Sequence, residues 1–423
     1  MQQPRELGKN AFLDYSILVP YLVLSVFGLI MVFSSTVPAQ LINQQNVYKP
    51  LISQSIFLVV SLVFMFIIYR LRISTFKSST FLGIFVPVEI ILLIIGRVAP
   101  AANGAHGWIP IPGVGTIQPA EFLKVFVIWY LALILANRQK KIANLDYRGV
   151  FEHKKWYDNA FSARWFFLIL MMGIVIIMPD LGNFVIILVI AVTMIFSSGI
   201  SYHWGAGYFK VFLVAAAVFI GWIFLTAGQI IPGVKVYFFN RFKAFADPFN
   251  GLFDWGRQLA NSYYAISNGG WFGRGLGNSI EKKGYLSEAT TDFIFPVVVE
   301  ELGVIGAVLI LSVLFFLILR ILLVGIRARD PFNAMIAIGT GTMLLVQVFV
   351  NVGGAIGLIP ETGVTFPFIS QGGSSLLILS IAIALVLNVA AKERRDEIIA
   401  LSLAHDNEAH QARIRARQGG ANA

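Results

Sequence analysis

Cysteine is absent from all 423 residues, so no disulfide, thiolate metal site or cysteine nucleophile is available. Charge is scarce too: Asp, Glu, Lys and Arg make up 13% of the chain, about half the share of a soluble domain. No internal repeat and no cluster at metal-ligand spacing stands out. A secretory cleavage site is also missing. The polar MQQPRELGKN runs into an apolar stretch with no small-residue site and no soluble domain behind it, which predicts a retained helix.

What fills the chain is apolar surface. At 57% hydrophobic residues and a mean hydropathy of +0.77, the sequence is that of an integral membrane protein. Its 38 glycines scatter instead of clustering, and its aromatic content is high, as in packed transmembrane helices with interfacial belts. A span needs about 20 mostly apolar residues. Ten windows qualify when short flanks are allowed: 13–34, 52–70, 80–98, 119–136, 165–179, 183–199, 210–230, 293–323, 334–355 and 372–391. The expected fold is therefore all-α and polytopic. The fifth and sixth windows are short and meet at PDLG, as a broken hairpin would.

With the N-terminus inside, 22 of the 32 basic residues fall on cytoplasmic segments, so both termini are expected in the cytoplasm. The net charge of +10 needs no nucleic acid to explain it, because a positive-inside distribution facing anionic lipid gives the same excess. The chain divides into a short cytoplasmic N-terminus (1–12), a membrane domain (13–392) and a polar Arg- and Ala-rich tail (393–423) expected to start as a helix and fray. An outer segment of about 231–292, between the seventh and eighth windows, is too long for a simple connection, and chemistry is expected there.

Charges inside or beside the spans need a partner or a wet cavity. Glu121 and Lys124 in QPAEFLK share one helix face at i, i+3, which suits either an ion pair that allows burial or a substrate contact. Glu89 has no local partner. Asp180, in PDLG, is best placed as a helix cap. Asp292 stands where the outer segment meets a long apolar helix, and two readings remain open: an N-cap, or a general base. The second gains from its surroundings. Glu288 lies one turn before it, and the glycine-rich NGGWFGRGLGNSIEKKG puts Arg274, Lys282 and Lys283 on a flexible outer loop, where cations suit a pyrophosphate. Ser279, on the same loop, should be reachable from outside. GRGLGN is no nucleotide fingerprint, since no strand precedes it. Glu300 and Glu301 lie about 12 to 13.5 Å beyond Asp292 on a regular helix, too deep to share its proton transfer, and are expected to bond to neighbouring helices.

QPAEFLK, MPDLGN, QLANSYYAISNGGWFGRGLGNSIEKKGYLSEATTDFIFPVVVEELG and GLIPETGVTFPFISQGGSS, in that order and spacing, resemble the SEDS family (shape, elongation, division and sporulation) over nearly all of residues 12–392. Within it the likeness is strongest to division-type members of Gram-positive, Lactobacillales-type bacteria, with the elongation-type members the close rivals. The resemblance implies a ten-helix peptidoglycan glycosyltransferase of the plasma membrane at the division septum. It would polymerise lipid II on the outer face beside a class B penicillin-binding protein and other division proteins.

The family's catalytic aspartate falls on Asp292, and the acid and base of its QPSE-type motif on Glu121 and Lys124, with Gln118 at the motif's start. Departures are Ala120 for the usual serine, Ser287 and Thr290 for a proline and a histidine, and His106 and Gly107 where many members have an arginine. Arg241, Lys243, Arg274, Lys282 or Lys283 would hold pyrophosphate, with no dedicated cofactor site and any magnesium or manganese shared with substrate. The rival function is a lipid flippase, which ten helices, intramembrane charges and a broken hairpin also suit. A division scaffold acting through its tail fits either reading and explains none of the embedded acids.

Overall fold

The computed structural model describes residues 12–99, 107–111, 115–145, 159–178, 180–200, 234–252 and 254–420, together with residues 207, 210 and 214. Seven described helices are long and apolar enough to cross a membrane. They are α1 (Tyr15–Ile42), α2 (Lys49–Arg70), α3 (Ser79–Val98), α4 (Pro119–Ala136), α9 (Ile294–Arg327), α10 (Pro331–Ala355) and the first part of α11 (Gly373–Gly420). Two shorter apolar helices, α5 (Asn159–Ile177) and α6 (Leu181–Phe196), fill the fifth and sixth windows. The seventh window, 210–230, lies almost wholly outside the described residues, as does His106.

Burial sorts these helices into two classes that hydropathy alone does not separate. The most apolar stretch is buried over 89% of its residues in α4, 83% in α11 and 72% in α10, but over only 22% in α2 and 28% in α3 and α9. The first three form the centre; the others turn broad apolar faces to lipid. Charged side chains that enter α4 are thus surrounded by protein. A hairpin, β1 (Ile109–Ile111) with β2 (Gly115–Ile117), leads into α4, whose start is set by Pro119 in the first turn.

In the outer segment, α7 (Val234–Ala246) and α8 (Arg257–Gly269) precede an irregular stretch that ends at α9. The sequence reads α9 as one unbroken helix. The structure corrects this: Gly303 sits at φ 73°, ψ 177°, and the helix breaks there. The broken turn frees backbone groups that the outer loop takes up. Arg274 N–H donates to the Glu300 carbonyl and Gly275 N–H to that of Glu301 (both 2.9 Å), while Val304 N–H donates to the Gly270 carbonyl at 2.9 Å. Only glycine allows this approach, since a Cβ on Gly303 would overlap the Trp271 carbonyl oxygen and one on Gly273 that of Glu301.

The tail begins as a helix, as the sequence predicts. Helix α11 continues to Gly420, its start beyond the membrane carrying an i, i+4 pair between Lys392 and Asp396 at 3.4 Å.

Candidate active site

Two charged centres lie on either side of the segment between α10 and α11. In the inner one, Lys124 Nζ donates to Glu121 Oε1 at 2.9 Å and to Gln347 Oε1 of α10 at 3.2 Å. Both charges are buried, and Gln347 Nε2 donates onward to the Thr365 carbonyl at 3.1 Å. Glu121 Oε2 has no partner among the described residues. Nearby, Asp180 accepts the Asn183 backbone N–H at 3.1 Å and so caps α6, and it also accepts Gln118 Nε2 at 2.8 Å. Gln118 and Asp180 therefore join the two short motifs QPAEFLK and PDLG. Glu89 is buried on α3, with Oε1 unpartnered among the described residues.

The outer centre is built around Asp292. Its backbone is clamped: Asn351 Nδ2 donates to the Asp292 carbonyl at 2.8 Å and to the Val364 carbonyl at 2.7 Å. Neighbouring residues are tied to the same segment, since Ser370 Oγ donates to the Thr291 carbonyl at 2.6 Å and Gln371 N–H to the Thr290 carbonyl at 2.8 Å. The Asp292 carboxylate, in contrast, accepts no hydrogen bond among the described residues. Phe293 is the N-cap of α9, without any side-chain cap bond. Capping is thus not what Asp292 does.

What faces the Asp292 carboxylate is mostly charge of its own sign. Arg241, from α7, borders it across Gly363: a Cβ at Gly363 would lie 3.2 Å from Arg241 Nη2 and 3.5 Å from Asp292 Oδ2. Arg241 Nη1 donates to the Glu361 carbonyl at 3.1 Å, and its Nη2 lies 3.9 Å from Glu361 Oε1. Glu288, which accepts Thr291 Oγ1 at 2.8 Å, completes the group. Burial first, then Glu361 and Glu288, push the Asp292 carboxyl up to about 7 against the pull of Arg241, with Asp180 adding a further upward push. Glu361 is itself held above the usual carboxylate range, chiefly by burial. A carboxylate poised near neutrality, half-buried and free to accept a proton, is equipped for general-base chemistry.

The remaining sequence candidates separate. Arg274 and Lys283 are exposed on the outer face, as expected, and so is Lys243. Lys282 is corrected: it is not on a free loop but buried, with Nζ 2.5 Å from Glu301 Oε1 and 2.9 Å from Ser34 Oγ of α1. Ser279 is corrected likewise, being fully buried and donating to Glu300 Oε2. Glu300 also accepts the backbone N–H groups of Ile280 (2.9 Å) and Glu281 (3.3 Å). These two glutamates therefore fasten the glycine-rich loop, which the sequence read as flexible. Sequence reasoning missed Glu361 and Asn351. The only signal for Glu361 was a charged residue inside the otherwise neutral GLIPETGVTFPFIS.

Fold and site together define a polytopic helical membrane protein with an acid-rich centre where its outer segment meets the membrane helices. The chain belongs to the FtsW, RodA and SpoVE family of cell cycle proteins, whose model matches residues 15–395. It is 52% identical over 405 residues to a probable peptidoglycan glycosyltransferase FtsW of Lactococcus lactis, covering 94% of this chain and 96% of that one. To the protein of the same description from Bacillus subtilis it is 35% identical over 389 residues, covering 89% of this chain and 90% of that one. Among solved structures, a peptidoglycan synthase complex that coordinates polymerisation and crosslinking aligns with a TM-score of 0.67 at 24% identity, over 90% of this chain and 98% of that chain. The rod shape determining protein RodA of Thermus thermophilus aligns at 0.59 and 21%, over 90% of this chain and 97% of that one. At those identities the structures speak for the fold.

Proposed function

We propose that this protein is a peptidoglycan glycosyltransferase that polymerises lipid II into β-1,4 glycan strands at the outer face of the plasma membrane, during septal wall synthesis. The names carried by its relatives support the activity and the division role. The observation that carries the mechanism is the Asp292 carboxylate: partly exposed, uninvolved in capping, without a hydrogen bond among the described residues, and pushed up to about 7. Asp292 takes the proton of the acceptor's 4-hydroxyl as that oxygen attacks the anomeric carbon of the growing glycan. Lipid pyrophosphate leaves from the opposite face, so the α-linked lipid becomes a β-linked glycan in one displacement. No covalent enzyme intermediate is needed, and hence no second catalytic carboxylate.

Pyrophosphate would be held by Arg241, Arg274 and Lys283; Lys282 is occupied by Glu301. Any magnesium or manganese would arrive with the pyrophosphate. The Glu121–Lys124 pair, bound to Gln347, acts in this reading by holding α4 against α10 near the outer segment. A class B penicillin-binding protein is the proposed partner, in keeping with the likeness to a synthase complex. The flippase alternative would place its working charges near the bilayer midplane, whereas Asp292 and Glu361 lie beyond the ends of α9 and α10. Polymerisation of labelled lipid II by purified protein with its transpeptidase partner tests the proposal. Glycan strands that depend on Asp292 support it; lipid transport without strand formation overturns it.

A further inference from the structure

The opposite end of the molecule holds a pocket of about 540 Å³ between the start of α1, the end of α9 and the part of α11 that leaves the membrane. Four arginines line it: Arg320, Arg327, Arg329 and Arg394. The acids there are mostly engaged. Asp14 accepts from Ser16 N–H at 2.9 Å and pairs with Arg320 at 3.2 Å. Glu393 accepts the backbone N–H groups of Arg329 (2.9 Å) and Asp330 (3.4 Å) and Asn333 Nδ2 (2.6 Å), which binds the α9–α10 turn to α11. Arg327, Arg329 and Arg394 make no ion pair among the described residues; against the four lining arginines stand three acids, Asp14, Glu393 and Glu397, which leaves the lining one positive charge in excess.

Between Arg320 and Arg327 the α9 lining is aliphatic, with Leu323 and Val324, and the neighbouring Ile326 is 72% exposed. Guanidinium groups beside aliphatic side chains, at the end of membrane-spanning helices, match an amphiphile better than a free anion. The positive-inside pattern puts this end on the cytoplasmic side, where anionic lipids gather. We infer that the pocket binds the phosphodiester headgroup of an anionic phospholipid, with one acyl chain lying along α9. Guanidinium groups suit that ligand, since their planar donors reach two phosphate oxygens at once. The site is separate from the Asp292 centre and does not depend on its chemistry.

The test uses the full chain in nanodiscs of phosphatidylcholine doped with phosphatidylglycerol or cardiolipin, read by native mass spectrometry for retained lipid. The wild-type protein is expected to keep one anionic lipid. The triple variant Arg327→Gln/Arg329→Gln/Arg394→Gln should bind it about a hundredfold more weakly, at the usual weight of a basic residue near a charged surface. A control, Arg70→Gln/Arg72→Gln at the exposed end of α2, should retain it. Membrane abundance and melting temperature of the triple variant confirm that it folds; if it does not, each single variant should lower retention by about fivefold. Equal loss in the control, or wild-type retention in folded variants, overturns the inference. Displacement of the lipid by millimolar inorganic phosphate would also overturn it, marking a free-phosphate site instead.

Discussion

Within sixteen residues, 288–303, the chain holds two kinds of acid in one apolar neighbourhood. Glu300 and Glu301 are completely buried, and each is surrounded by donors: Ser279 and two backbone N–H groups for the first, Lys282 and Ser34 for the second. Asp292, at the outer end, is partly exposed, accepts nothing at its carboxylate among the described residues, and faces Glu288 and Glu361. Buried polar groups are ordinarily satisfied, because an unpaired one forfeits its solvation without return. The satisfied pair fixes structure. The other acid is held in a rigid frame by bonds to its backbone, while its carboxylate is left without a hydrogen bond among the described residues.

The sharpest way to break that contrast is Asp292→Asn. Size and backbone clamps survive, but the side chain no longer accepts a proton usefully. Lipid II polymerisation should fall by about 10² to 10⁴, as for a lost general base, while membrane abundance and partner binding stay normal. Normal polymerisation by this variant would remove Asp292 from the chemistry. For the structural pair the pattern should invert. Lys282→Met leaves Glu301 buried without its cation, at a cost of about 3–5 kcal/mol, and should show as lost abundance. Adding Glu301→Gln should recover much of it, read as melting temperature in detergent, since no buried charge is then stranded. A double variant no better than the single would mean that Lys282 has duties beyond its pair.

Much of this was legible in the sequence, for a physical reason. A charge in an apolar window is costly, so Glu121, Lys124, Asp180 and Asp292 announce themselves, and nine of the ten windows correspond to described helices. The pairings across long separations were not legible. Nothing local shows that Lys282 turns inward to Ser34, 248 positions earlier, or that Glu361 approaches Arg241. Composition misled at the loop, where many glycines read as flexibility; here they permit close backbone contact. The break in α9 hid because a lone glycine inside a long run of helix-compatible residues does not by itself mark a break; the Glu300–Glu301 pair beside it was read only as a bond to neighbouring helices.

Gly303 offers a milder perturbation of the same boundary. Its backbone lies in a region almost reserved for glycine, so Gly303→Ala should cost about 1–3 kcal/mol from strain, with some addition from the crowded Trp271 carbonyl. The outer loop should loosen first. Faster amide exchange at residues 270–275, with the helices protected as before, is the expected signature. Exchange rates unchanged from the parent would mean that the loop is held by Glu300 and Glu301 alone.

The smallest effect expected is a displacement of the pH profile, and it bears on why Asp292 sits near neutrality. A base works only when deprotonated, so polymerisation should rise with pH through a midpoint near 7 and fade below it. Glu361 helps to raise that midpoint by repelling the Asp292 anion, and its carboxylate also shares Arg241. Glu361→Gln removes the repulsion and leaves Arg241 to act more strongly on Asp292; both changes favour the charged form. The rising limb should therefore move to lower pH, by less than about one unit for a single partly solvated neighbour. Because a less basic carboxylate is a weaker proton acceptor, the plateau rate should drop modestly as well. Glu288→Gln should act in the same direction. A midpoint that stays in place in both variants would show that desolvation alone tunes Asp292, and a midpoint that rises would show that these glutamates keep the site wet instead of charging it.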